Sequence, residues 1–153
     1  MTPERLPPGD VRLPDTLSLI RRVFAEHDGR VDPPSSMHRM TLDDLERSAS
    51  DGEVWAIGTP PVACVILSVK DDALYISKLA VDPVQRGTGH ARRLIKNAVD
   101  RAKALGLSAL ELQTRIELVE NHATFRALGF EKSGETRHEG FDRTTSITMR
   151  KDL

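Results

Sequence analysis

The segment VQRGTGHARRLIKNAVDRAKALG, residues 84–106, limits what this chain can fold into more than any other. Ala91, Leu94, Ile95, Ala98, Val99, Ala102 and Leu105 recur at the spacing of one helical stripe, Arg and Lys occupy the opposite face, and Gly106 supplies the stop. Such a helix must lay its apolar stripe on a neighbouring layer. Before it stands ALYISKLAVDP, a strand-like run, so the unit is strand, glycine-bearing loop and helix. In that strand Leu74 and Ile76 share one parity, whereas Leu79 and Val81 share the other. The alternation slips near Ser77-Lys78, through a β-bulge or because the strand is covered on both faces.

The remaining elements follow from the same reasoning. Pro3, Pro7, Pro8 and Pro14 make residues 1–14 an extended lead-in. From Asp15, a cap candidate, Leu17, Ile20, Val23 and Phe24 keep helical spacing until Gly29, and the polar, proline-bearing run RVDPPSSMHR reads as a loop. Thr41 and Asp44 form a capping-box pattern ahead of a short helix with Leu42, Leu45 and Ala49. EVWAIG and the apolar run VACVILSV read as strands, the second buried on both faces, with turns at Pro60-Pro61 and Asp71-Asp72. After the long helix come a strand, SALELQT, a short helix, VENHATFRALG, and two strands, FEKSGETRH and TTSITMRK, joined near Gly140. At 153 residues this order describes one α/β or α+β domain.

Composition excludes several function classes. The lone Cys64 cannot pair within the chain, so a disulfide scaffold is out, and a reducing cytoplasm is the economical assumption. No apolar stretch approaches the roughly 20 residues that cross a bilayer, and MTPERLPPGDVR lacks the apolar core of a signal peptide, which argues against a membrane role. Aromatics are only 4% of residues, which argues against a stacking surface for nucleic acid. Five scattered histidines, at 27, 38, 90, 122 and 138, show no ligand spacing, so no metal centre is expected. The formal charge of −1 hides an asymmetry: residues 1–75 hold 8 basic and 13 acidic side chains, residues 76–153 hold 14 and 10. The basic half invites an anionic ligand, although a solvated helix face has the same composition.

The loop DPVQRGTG sharpens that alternative. Free backbone N–H groups at a helix start sit at the positive end of its dipole and attract anions. Gly87 and Gly89 permit close approach, and Arg86 and Arg92 add charge; a glycine-rich turn that binds nothing has the same composition. A Walker loop is excluded because His90-Ala91 follows Gly89 where Lys and Ser or Thr are needed. The dinucleotide fingerprint lacks its third glycine, the position being Arg92.

What does fit is Arg86-Gly87-Thr88-Gly89-His90-Ala91 directly after LAVDP, matching (Gln or Arg)-x-x-Gly-x-(Gly or Ala). Here the sequence resembles the GCN5-related N-acetyltransferase family, through residues 73–150 in detail and residues 1–72 in element order only. The resemblance implies a single domain over residues 1–153 with a central mixed, mostly antiparallel sheet, splayed between its fourth and fifth strands and flanked by helices. It implies acetyl-CoA as co-substrate, with the amides of Arg86, Gly87, Thr88, Gly89, His90 and Ala91 on the pyrophosphate and the backbone of Leu79, Ala80 and Val81 along the pantetheine arm. Asn121 and Phe125 would lie beside the arm and thioester. The reaction implied is transfer of an acetyl group to a primary amine, small molecule or peptide, by direct attack in a ternary complex, with the Val81 amide polarising the carbonyl. A homodimer stays open, as does a non-catalytic acyl-CoA sensor.

Two departures qualify the resemblance. Many members carry a Tyr four residues before the Gly of the Gly-Phe pair, as acid toward the leaving thiolate; this chain has Phe125, which donates no proton and fits core packing equally. Where some members have a Glu base, this chain has Tyr75, either orienting the amine and relaying a proton or simply a strand aromatic. For the acceptor border the loop residues Asp32, Ser35, Ser36, His38 and Arg39 are candidates.

Overall fold

The computed structural model describes residues 1–35 and 39–153. Seven strands form one sheet: β1 (Glu4–Arg5), β2 (Glu53–Ile57), β3 (Ala63–Lys70), β4 (Ala73–Val81), β5 (Ala109–Arg115), β6 (Glu131–Thr136) and β7 (Ser146–Asp152). Its order is β1-β2-β3-β4-β5-β7-β6, antiparallel throughout except for the parallel β4–β5 pair. Helices α1 (Leu13–Phe24) and α2 (Leu42–Asp51) cover one face; α3 (His90–Ala104) and α4 (Val119–Ala127) accompany the other. Among the described residues no helix is long and apolar enough to cross a membrane.

The buried run of β3 serves both layers. Cys64 and Ile66 join Leu13, Leu17, Ile20 and Leu45 in the α1/α2 core, while Ala63, Val65 and Leu67 join Leu94, Ile95, Ala98 and Ala102 under α3. Alternate residues of a strand face opposite sides, so a strand with a layer on each side must be apolar continuously. The parity slip in β4 is a bulge. Cys64 pairs with Ala80 and Ile66 with Ser77, leaving Lys78 and Leu79 opposite Val65 alone, and Lys78 adopts φ 54°. One extra residue lets Leu74, Ile76, Leu79 and Val81 all reach the α3 side.

Several boundaries differ from the sequence expectation. The lead-in contributes β1 at the sheet edge, and α1 starts at Leu13 with Pro14 in its first turn, where the missing N–H is harmless. Asp15 therefore sits in the first turn, at the positive dipole end, and is not the cap. Thr41 and Asp44 form the full capping box of α2. Leu105, placed on the α3 stripe, is 44% exposed because the helix has ended before it.

One ion pair pins α3 to the sheet. The Glu53 side chain, 8% exposed, accepts from Arg101 Nε at 2.8 Å and Nη2 at 2.9 Å and from Trp55 Nε1 at 2.8 Å. Burial pushes the Glu53 carboxyl up, but Arg101 and Trp55 outweigh it and hold it below its ordinary range. A carboxylate depressed in the folded state stabilises the fold above its ordinary value of about 4.3, and that contribution drains as pH falls through the folded value. Arg101→Met should lower urea-unfolding stability by about 2 kcal/mol at neutral pH, less than for a fully buried pair because Arg101 is 29% exposed. Glu53→Gln should flatten the acid limb of stability against pH.

Candidate active site

The bulge prepares a gap in the sheet. β4 and β5 pair only from Ala73–Ala109 to Ile76–Leu112; beyond that, Ser77–Val81 and Gln113–Arg115 diverge, each still paired on its outer side to β3 or β7. Asp82 donates its N–H to the Val62 carbonyl at 2.8 Å, so the alternation of the ladder turns the N–H and C=O of Val81 the other way, toward the gap. Ala80 belongs to the opposite phase, with its backbone on β3 and its side chain in the α1/α2 core.

At the foot of β4 the chain makes a glycine-bearing turn into α3. Asp82 Oδ1 accepts from the Val84 N–H at 3.1 Å, opening a short 3₁₀ turn at Pro83–Gln85. Gly87 and Gly89 have φ of 80° and 89°, the left-handed region that only glycine enters cheaply, and α3 begins at His90 with the N–H groups of its first turn unused. Thr88 Oγ1 donates to the Gln85 carbonyl at 2.5 Å. Arg93 folds back over the turn, donating to the Thr88 carbonyl at 3.0 Å and meeting His90 Nδ1 at 3.0 Å. Burial and the Arg93 charge hold the His90 imidazole below its ordinary value. Of the two arginines expected to add charge, Arg86 forms a bidentate pair with Glu26, both contacts 3.0 Å, while Arg92 has no ion pair among the described residues.

Turn and gap open into one trough of about 1030 Å³. It is lined from Gln85 to Arg92, apart from Thr88, along Ser77, Lys78, Leu79 and Val81, past Leu112–Arg115, and out to Asn121, Thr124 and Phe125 on α4. Pockets for drug-sized ligands run to about 1,000 Å³, so this one suits a long ligand. The Phe125 ring meets Phe130 edge-on at 5.8 Å while still lining the wall, so it packs in the core and borders the trough together. Thr114 Oγ1 faces this region buried and without a hydrogen-bond partner, a group suited to a polar ligand atom.

The far end is roofed by the segment after α1. Arg30 pairs with Glu120; the Asp32 N–H donates to Glu117 Oε2 at 3.0 Å; and Arg115 donates to the Pro33 and Pro34 carbonyls at 2.6 and 3.3 Å. Among the acceptor candidates Ser35 lines the trough, Asp32 bonds Arg143 at 3.3 Å within the roof, Arg39 is exposed, and Ser36 and His38 lie outside the described residues. Tyr75 does not line the trough. It lies beneath Lys70, 5.0 Å from ammonium to ring centroid; burial first, then Glu111, push its hydroxyl up, against a backbone N–H from Gln113. Sequence reasoning missed Lys78, Arg115 and His138, all in the lining. His138 holds Thr145 Oγ1 through both its backbone N–H, at 2.8 Å, and Nδ1, at 2.5 Å, and burial followed by Arg115 lowers its pKa. For Lys78 a signal existed, a lysine inside an otherwise apolar strand at the parity slip; Arg115 and His138 carried none.

A glycine-bearing helix start leading into a gap between two strands is the layout that the resemblance to the acetyltransferase family implies. The comparisons give it a family. The acetyltransferase (GNAT) family model matches residues 17–130. A protein from Azospirillum brasilense called IAA acetyltransferase is 30% identical over 127 residues, 82% of each chain. In fold the chain is similar to the PaiA N-acetyltransferase of Thermoplasma acidophilum, solved in complex with coenzyme A, with a TM-score of 0.81 and 14% identity over the whole of both chains. It is also similar to an IAA acetyltransferase from Bacillus cereus, with a TM-score of 0.69 and 20% identity over 99% of each. The chain belongs to the GNAT acetyltransferase family and is an N-acetyltransferase.

Two measurements probe this geometry. Gly89→Asp puts a carboxylate beside the free amides and a side chain at φ 89°; coenzyme A affinity should fall at least tenfold, about 1.4 kcal/mol, by titration calorimetry, with folding checked by circular dichroism. Cys64 is fully buried and donates to the Lys78 carbonyl at 3.7 Å, and burial pushes its thiol up to about 12. It should resist thiol reagents in the native protein and react only on unfolding, leaving a thiol-release assay free of background.

Proposed function

We propose that the protein transfers an acetyl group from acetyl-CoA to a primary amine by direct attack in a ternary complex. The observation that carries this is the continuity of the trough from the amides of Arg86–Ala91, through the β4–β5 gap, to the roofed end. One end suits a pyrophosphate and the other a second substrate, with room for both at once. The reactants are held together by position, which removes much of the entropy cost of their encounter.

In this reading the amides of Arg86–Ala91 hold the pyrophosphate with Arg92 and Arg93 beside it, and Leu79 and Val81 bond the pantetheine arm, with Thr114 and Asn121 as further polar partners. The inward N–H of Val81 polarises the thioester carbonyl as oxyanion charge develops. Phe125 supplies no proton, so the thiolate departs as the anion or is protonated by water; a thiol pKa of about 8.5 makes this feasible near neutrality. Tyr75 stands off the trough and serves the amine only through water or through Gln113. The lone buried Cys64 suits a reducing cytoplasm, and residues 1–153 act as one domain.

The test is acetyl-CoA-dependent thiol release with a panel of amines, peptides and amino acids, to which the relatives' name adds IAA. Turnover on an acceptor is expected; stabilisation by acetyl-CoA with no turnover on any would favour the sensor. Phe125→Tyr should change kcat by less than about threefold above pH 8.5, where the thiolate is already the stable form, with any gain confined to lower pH. A tenfold gain across the whole pH profile would show that thiolate departure limits the native enzyme.

A further inference from the structure

The charges lining the trough do not balance, and the surplus lies where the second substrate must sit. Two carboxylates line it, Glu26 and Glu120, and each is consumed by an arginine of the same wall: Glu26 by Arg86 at 3.0 Å, Glu120 by Arg30. Lys78, Arg92 and Arg115 remain. Arg92 stands in the first turn of α3, at the phosphate end. Lys78 and Arg115 stand two and three residues beyond the last β4–β5 pair, Ile76–Leu112, on the two strands that border the gap.

Neither of these two has a carboxylate within ion-pair distance among the described residues. The Lys78 side chain is half-buried, and its ammonium has no hydrogen bond or ion pair among the described residues. It also occupies the left-handed region at φ 54°, where a side-chain-bearing residue is strained. Desolvation pulls its pKa down, so burial opposes the ammonium with no partner to compensate. A lysine kept under both penalties in a ligand cavity is suited to a counter-ion that arrives with the ligand. Arg115 is held by the Pro33 and Pro34 carbonyls, which orient the guanidinium without neutralising it. The carboxylates nearest in influence, Glu117 and Asp32, lie against Arg143, at 3.9 and 3.3 Å, and act on Arg115 only from beyond ion-pair distance.

We propose that the acceptor is an amine carrying its own carboxylate, a free amino acid or a small molecule of that kind, whose carboxylate is bound by Lys78 and Arg115 at the diverging edges of β4 and β5. This rests on the acetyl-transfer reading and narrows it. A planar guanidinium and a point-charge ammonium on either side of a carboxylate give both orientation and charge neutralisation. A polycationic acceptor is disfavoured, because the acids facing the trough are already paired.

The experiment compares each of the twenty amino acids with its carboxamide, which keeps the shape and removes the charge, as acceptors in steady-state thiol release. Near neutral pH the amide has the less protonated amine, so an acid preference there does not come from a larger free-amine fraction. An acid preference of at least tenfold in kcat/KM is expected for the best acceptor. Lys78→Met should collapse that ratio toward one through a rise in KM for the acid, and Lys78→Arg should restore most of it. Each variant is first shown to keep coenzyme A-induced thermal stabilisation. Preference for the amides, or an equal fall in kcat for acid and amide in Lys78→Met, overturns the proposal; the second result would place Lys78 on the departing thiolate instead. Should no acceptor turn over, the same pairs are titrated calorimetrically into protein saturated with coenzyme A. Binding of the acid alone, lost in Lys78→Met and regained in Lys78→Arg, would uphold the carboxylate site while the transfer reading fails, and absence of such binding would overturn both.

Discussion

The parting of β4 from β5 is the constraint on which the site depends. A sheet interior does not give up backbone hydrogen bonds cheaply, and here the ladder stops at Ile76–Leu112 although both strands continue. Each stays paired to its other neighbour, β4 to β3 across the bulge and β5 to β7. The divergence therefore leaves main-chain groups such as the Val81 N–H turned into a gap between two fixed edges. A ligand that supplies a third edge restores what the sheet lacks.

The bulge at Lys78 makes this compatible with a packed interior. Without an extra residue, Leu79 and Val81 would fall on the face opposite Leu74 and Ile76, and the lower half of β4 would lose its place under α3. With it, one strand keeps its apolar face on the long helix and still changes direction. Its carbonyl is held by the buried Cys64 thiol, so a residue that looked like a small core filler also ties down the bulge. Arg22 of α1 with Asp82, and Glu26 just after α1 with Arg86, then fasten the turn before α3 to the opposite layer.

Much of this was legible in the chain. The amphipathic stripe of α3, the capping box at Thr41, the doubly buried run of β3 and the parity slip at Ser77-Lys78 are local patterns, written within a few residues of where they act. So was the glycine-bearing turn before α3, since glycine placement and a following helix suffice for it. The missed positions share a different character. Arg115 is one charged residue at a strand end, and only the fold brings it under Pro33 and Pro34, some eighty residues earlier. Tyr75, assigned by position to the chemistry, sits off the trough beneath Lys70, a contact that depends on the β3–β4 pairing.

By itself the sequence determined the order of the elements from α1 onward, the parity slip in β4 and the glycine-bearing start of α3, because periodicity, capping and glycine conformations act over a single turn or strand. Only the tertiary structure decided which charges face the trough and which of them are already paired. Pairing depends on distances of about 3–4 Å between residues far apart in the chain, and an overall charge of −1 carries no record of them. The basic second half of the chain accordingly has two destinations. Arg92 and Arg93 gather at the start of α3, whereas Lys78 and Arg115 flank the gap between β4 and β5.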